Sequence, residues 1–162
     1  MSVNIITLNQ LINLFSSFAQ NHFFIKDFGF GPTSDIGTSR QMEFPYLWLS
    51  LDQQSTISVT NKTAVPRYGI TVLLMDKINI QQNYLDINGV NSDNSQEILS
   101  DTLQYLQDLI TEIEVNWHIY GLKIDGDTSC FPAVDETPDK VCGWVAQFPL
   151  KVKHLNCIIP LA

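Results

Sequence analysis

The stretch from Arg67 to Ile78 constrains the fold of this chain more than any other. Tyr68, Ile70, Val72 and Leu74 alternate with Gly69, Thr71, Leu73 and Met75, so the segment reads as a long strand with two largely apolar faces. Such a strand belongs inside a sheet that is covered on both sides. A second strand over Phe44 to Asp52 puts Leu47, Leu49 and Leu51 on one face and Tyr46, Trp48 and Ser50 on the other. Gln53-Gln54 reads as a turn that returns it into a strand from Ser55 to Thr60. The rings of Tyr46 and Trp48 serve either a second core layer or a protein interface, two roles for which amphipathic aromatic side chains are equally suited.

Two amphipathic stripes supply the cover. Thr7-Leu8-Asn9-Gln10 reads as a capping box and opens a helix over 7–20, with Leu8, Leu11, Ile12, Phe15, Phe18 and Ala19 along one side. A second helix over 94–115 carries a seam of Leu99, Leu103, Leu106, Ile110 and Ile113. Strands and helices together predict an α+β fold, a mainly antiparallel sheet with two helices packed on it. Phe23 to Phe28 adds a short strand and Trp117 to Ile124 another. A last strand starts near Val141, and Pro149 places it at an edge or at a bulge because proline lacks the N–H a ladder needs. Residues 29–43, 79–91 and 126–140 read as loops. The 162 residues are expected to form one domain, with an apolar tail over 155–162 that packs on a sheet edge or a neighbouring subunit.

Charge is distributed unevenly. Residues 79–139 hold twelve acidic side chains and one basic one, Lys123, a net of −11, while the rest of the chain carries +3. That asymmetry implies charged faces, through which copies of the chain can stack or ring up. The second helix contributes Glu97, Asp101, Asp108 and Glu112 and contains no Lys or Arg. Like charges four residues apart cost a few tenths of a kcal/mol per pair, so the acidic face has a use or a partner. The net charge of −8 argues against non-specific nucleic-acid binding, which needs dense Lys and Arg to displace counterions. The start of the chain has no secretory pattern and no apolar run is long enough to span a bilayer, which points to folding in the cytosol and no membrane partner.

Chemical motifs are sparse. His154 and Cys157 lie three apart, with Cys130 and Cys142 upstream, but zinc sites show paired short spacings, so these read as core or strand residues. Cys130, in a polar stretch, is the best candidate for an exposed thiol, with no signature of a nucleophile around it. Asp125-Gly126-Asp127 resembles the start of a calcium loop without the remaining ligands. There is no phosphate-binding glycine loop, nucleophile elbow or H-E-x-x-H. No catalytic residue, metal or cofactor is expected.

The order of elements resembles that of tail-terminator and tail-completion proteins of tailed bacteriophages. The segment Phe131-Pro132-Ala133-Val134-Asp135, followed by Asp139-Lys140-Val141-Cys142-Gly143-Trp144, is similar to neck proteins of phages that infect Bacteroides-type hosts, including the crAss-like group. The resemblance implies a small α+β subunit of the virion, present in the host cytoplasm before assembly. It implies a homo-oligomeric ring of six or twelve copies between head connector and tail. Its partners would be copies of itself and adjacent portal or tail proteins, with DNA only passing through the lumen. An acidic lining would keep such a passage non-adhesive. The expected contacts are Tyr46 and Trp48, the acidic helix residues Glu97, Asp101, Asp108 and Glu112, Arg40 in the loop 29–43, and Ile158 and Ile159 in the tail. A non-catalytic cytosolic adaptor or binding module is the alternative, and a small thiol-dependent enzyme is the third reading.

Overall fold

The computed structural model describes residues 7–36, 41–60, 63–79, 93–135 and 140–152. Among these residues the fold is α+β, with two α-helices and a mixed, mainly antiparallel sheet of seven strands. In chain order these are α1 (Leu8–Asn21), β1 (Asp27–Phe30), β2 (Tyr46–Ser50), β3 (Thr56–Thr60), β4 (Thr63–Lys77), α2 (Ser95–Val115), β5 (Leu122–Ile124), β6 (Ser129–Asp135) and β7 (Val141–Val152). Among the described residues no helix is long and apolar enough to cross a membrane.

The sheet is built on β4 and β7, paired antiparallel from Arg67↔Lys151 to Lys77↔Val141. Each long strand has two short strands end to end on its outer side. β2 and β3 line β4, and β6 and β5 line β7. β1 adds to β2 in parallel. The outer ladders break at the same row. Tyr68, Gly69 and Ile70 have no partner in β2 or β3, and Phe148 and Pro149 have none in β5 or β6. Gly69 and Pro149 are themselves register partners. The sheet therefore narrows there to two strands.

This waist corrects two sequence expectations. β7 is central rather than at an edge. Its proline is tolerated because it falls where the neighbouring ladder is interrupted, with only the Pro149 carbonyl used, accepting from Asp125 N at 2.9 Å. β3 does not fold back on β2. The connection between them crosses over Gly69, where a Cβ would come within 2.6 Å of Gln53 Cβ and 2.8 Å of Gln54 O, and β3 then pairs with the beginning of β4. The loop expected over 126–140 contains β6, hidden from pattern reading by Pro132 and its polar flanks. The strand expected over 117–124 begins as a 3-10 turn, Trp117–Tyr120, ended by Gly121 in the left-handed region.

The capping box is present, with Gln10 N donating to Thr7 Oγ1 and Thr7 N donating to Gln10 Oε1. α1 buries Leu11, Phe15 and Ala19, and α2 buries Ile98, Thr102, Tyr105, Leu106, Leu109 and Ile113. The α2 seam is thus turned from the expected one, leaving Leu99, Leu103 and Ile110 half-buried. Adjacent apolar pairs at 98/99, 105/106 and 109/110 leave the rotation open in sequence. In the fold the Leu99 carbonyl faces the sheet and accepts from Trp144 Nε1 at 2.8 Å. Both helices cover one sheet face, over Leu47, Leu49, Ile70, Val72, Leu74, Ala146, Phe148 and Leu150.

The opposite face carries a smaller apolar layer. Tyr46 and Trp48 are 3% and 5% exposed and pack with Met75 and Val141. Ile36, Met42 and Phe44 from the crossover between β1 and β2 cover them. Of the two roles open to these rings, the structure places them in the core layer. Trp48 lies against Gly29, where a Cβ would fall 2.3 Å from the ring, and its Nε1 donates to Gly31 O at 3.1 Å. The loop 29–43 is therefore partly packed structure, with residues 37–40 outside the described set.

The rotation of α2 is testable. Leu109→Ala should cost about 2–5 kcal/mol, the range for emptying a closed core site, whereas Leu103→Ala should cost less than half as much. Urea unfolding of the two variants checks the difference, and equal losses would place the seam where the sequence pattern put it.

Candidate interaction surface

The outer side of α2 holds the acidic residues. Glu97, Asp101 and Asp108 are exposed and Glu112 is half-buried. At 1.5 Å per residue the row from Glu97 to Glu112 is about 22 Å long. Two of the four have partners across this face: His22 Nε2 lies 3.2 Å from Asp108 Oδ2, and Asn116 Nδ2 donates to Glu112 Oε2 at 2.6 Å. Glu97 and Asp101 make no ion pair among the described residues.

Aromatic rings border this row. The turn after α1 stacks Phe24 on Tyr105, with centroids 5.3 Å apart and planes at 11°. Phe23 packs edge-on against Phe24. Phe23 is 81% exposed and Phe24 50%. Large rings displayed at this level beside carboxylates mark a surface suited to a protein partner. Between the C-terminal halves of α1 and α2 and the 3-10 turn lies an open groove of about 450 Å³. Leu14, Phe18, Trp117, Ile119 and Tyr120 form its apolar walls and Glu112 stands at its rim.

Basic residues gather on the other side of the sheet. Leu122, Ile124, Leu150, Val152 and Tyr68 face the helices, so Lys123, Lys151 and Arg67, each at an alternate position, face away from them. Register sets the three in one row, Arg67↔Lys151↔Lys123, across β4, β7 and β5. Neighbouring strands are about 4.8 Å apart, so the row spans about 10 Å. Like charges directly opposite one another destabilise a sheet. Asp125 relieves one of them: Arg67 Nη2 donates to Asp125 O at 2.9 Å, and Arg67 Nε lies 3.1 Å from Asp125 Oδ2 without its N–H aimed at it. Lys123 and Lys151 are exposed and make no ion pair among the described residues. Asp125, the first residue of the calcium-like triplet, is thereby committed to Arg67.

Four carboxylates thus lie on the outer side of α2 and a row of three cations on the other side of the sheet, a side that also carries Asp125 against Arg67 and Asp35 near Trp48. Sequence reasoning identified the carboxylates, which share one helix, but not the basic row, whose members lie 28 and 56 residues from one another along the chain and meet only through register. Arg40, Ile158 and Ile159 lie outside the described residues.

The two thiols among the described residues, Cys130 and Cys142, are poorly suited to nucleophilic work. Burial raises the pKa of Cys130, and burial followed by the nearby charges of Asp93 and Asp76 pushes Cys142 up to about 11. Both stay protonated at neutral pH. Among the described residues no group of three or more His, Cys, Asp and Glu is placed to hold a metal. Comparison with models of known protein families and with curated proteins finds no match to this chain.

Asp76 sits half-buried on β4 beneath the acidic helix. Burial first, and then the charge of Asp101, raise its pKa. Its carboxyl holds a proton more tightly in the folded chain than in the unfolded one, so ionisation opposes folding. That cost is absent below the unfolded-state pKa, about 3.9, and is complete above the folded value. Asp76→Asn, which keeps the acceptor for Lys77 N, should raise the melting temperature at pH 7 and leave it unchanged near pH 3 (about one unit below the unfolded value). A melting series against pH on both proteins checks this, and a gain of the same size at both ends would sink it.

Proposed function

We propose that this chain is a structural, non-catalytic subunit that joins copies of itself head to tail in a closed ring. We place that ring at the neck or tail of a tailed-bacteriophage particle, in a tail-terminator-like role. The observation that carries the reading is the separation of charge onto opposite sides of one sheet. A surface that must match itself about a two-fold axis gains little from opposite charges placed on opposite faces. A head-to-tail contact uses both, because each copy offers the next a different surface. Repeated through a rotation that divides a full turn, such contacts close into a ring, and through any other they build an open filament.

The magnitudes suit assembly on cue. Exposed ion pairs contribute about 0–1 kcal/mol each, so Lys123 and Lys151 set orientation and encounter rate more than final affinity. Apolar contacts, for which Phe23 and Phe24 are available, supply the rest. The placement in a phage neck is supported by the resemblance of residues 131–135 and 139–144, which here fall largely on the paired strands β6 and β7. In that setting the carboxylates of α2 serve either the subunit contact or the lumen, where they would repel passing DNA.

Light scattering over a range of protein concentrations and salt tests the reading. The expected outcome is a discrete oligomer whose mass is a fixed multiple of 18.3 kDa and whose formation weakens as salt rises. Lys123→Glu with Lys151→Glu should leave the melting temperature nearly unchanged, slow assembly and remove its dependence on salt. A wild type that stays monomeric at high concentration and low salt would favour the adaptor reading instead.

A further inference from the structure

β4 outruns its partner. Its pairing with β7 begins at Arg67↔Lys151, so over Thr63 to Pro66 it pairs only with β3. The edge of β4 on the β7 side is therefore open at these positions among the described residues. Register places Ile57 opposite Pro66 and Val59 opposite Ala64, on the face that Tyr68 and Ile70 turn to the helices further along β4. Here that cover has ended: Ile57 is 72% exposed and Val59 73%. β3 and residues 63–66 contain no charged side chain, although charge is a usual guard of an exposed strand edge. A two-stranded ribbon with a bare apolar side is marginal in water on its own.

The chain leaves the sheet beside this gap. β7 ends at Val152, one residue past the Arg67↔Lys151 pair, and Val152 is buried. Residues 153–162, outside the described set, follow it as Lys153-His154-Leu155-Asn156-Cys157-Ile158-Ile159-Pro160-Leu161-Ala162, and from Leu155 onward they carry no charge. The same register, continued, would set Lys153 opposite Val65 and Leu155 opposite Thr63. From the line of β7 to β3 is two strand spacings, about 10 Å, a distance that about four extended residues span with ease. Segment and surface match in chemistry, since both are apolar and uncharged. A segment tethered beside its site also meets it at an effective concentration of about millimolar.

We infer that residues 153–162 close this gap within the same copy. The start of the segment extends the β4–β7 ladder toward Thr63, and Cys157, Ile158 and Ile159 cross the ribbon to cover Ile57 and Val59. Burial of these side chains holds the segment down, and the edge it pairs is withdrawn from other chains. The contact stands apart from the ring reading.

Disulfide trapping in the full chain tests it with the native Cys157, after Cys130→Ser removes the exposed thiol of β6. Ile57→Cys and Val59→Cys replace exposed side chains. Lys123→Cys puts a thiol on the opposite face, in the row of Lys151 near the end of β7. Each variant is oxidised with copper phenanthroline at several protein concentrations and read by non-reducing gel and peptide mass. The expected result is an internal disulfide between Cys157 and position 57 or 59 of the monomer, formed about tenfold faster than one to position 123. Covalent dimers through Cys157 would place the segment on another copy, and equal rates at all three positions would leave it unplaced. Either outcome overturns the inference, as does the absence of any disulfide. In a second measurement, Ile158→Asp with Ile159→Asp should speed amide exchange across residues 56–59 and 64–65 by about tenfold and leave Val72 unchanged. Unchanged exchange in the ribbon would overturn the inference equally.

Discussion

Everything else in the fold hangs on the ladder between β4 and β7. Eleven residues of each strand pair without a bulge, from Arg67↔Lys151 to Lys77↔Val141. Their inward side chains, Ile70, Val72, Leu74, Ala146, Phe148 and Leu150, are fully buried. They form the floor on which α1 and α2 lay their apolar sides. Burial at about 25 cal/mol per Å² favours any arrangement that covers such a floor, but the register decides which residues share it. Shifting β7 by one residue would turn its core set outward and bring Lys151 and Gln147 in. The register also creates the row of three cations, so one set of backbone hydrogen bonds fixes both the core and the charge pattern.

The two sides of the sheet are therefore chemically distinct surfaces. The helix side is acidic because α2 has no Lys or Arg to balance its carboxylates. Its internal repulsion is tolerated because the buried seam, not the exposed side, holds the helix. His22 and Asn116 offset part of the repulsion at Asp108 and Glu112. The far side is apolar where the crossover covers Tyr46 and Trp48 and basic where the strands of β5, β7 and β4 lie uncovered. Both Trp48 and Trp144 donate their ring N–H to a backbone carbonyl, whereas the buried Thr71 Oγ1 finds no hydrogen-bond partner among the described residues.

What could be read from the sequence was what depends on one segment at a time. The capping box at Thr7 and Gln10, the strand alternation around Val72 and the acidic side of α2 are local patterns, and each is present. Features that depend on pairing were not legible. The alternation of Leu49 and Ile57 suits a hairpin as well as it suits two separate neighbours of β4, and only the crossing over Gly69 separates them. Pro149 is a true signal of a broken ladder, but it does not say that the break lies between two short strands beside a central one. The rotation of α2 was ambiguous because three pairs of adjacent apolar residues offer two seams. The groove becomes a feature only once Trp117 and Ile119 are brought against α1.

The narrowing of the sheet at Gly69 and Pro149 has a mechanical consequence. Resistance of a sheet to bending across its strands rises with the number of ladders that must distort together. On either side of this row the sheet is at least four strands wide, and at the row it is two. Glycine on one strand admits the chain that crosses over it, and proline on the other has no N–H to offer an outer partner. The end that carries β3, β5 and the cations is thus joined to the end that carries β1, β2 and β6 by the β4–β7 ladder and by the helices packed over Ile70 and Phe148, and bends more easily there than elsewhere in the sheet. Compliance of this kind lets one subunit meet neighbours over a range of angles, so the curvature of an assembly is set by its contacts rather than by the subunit.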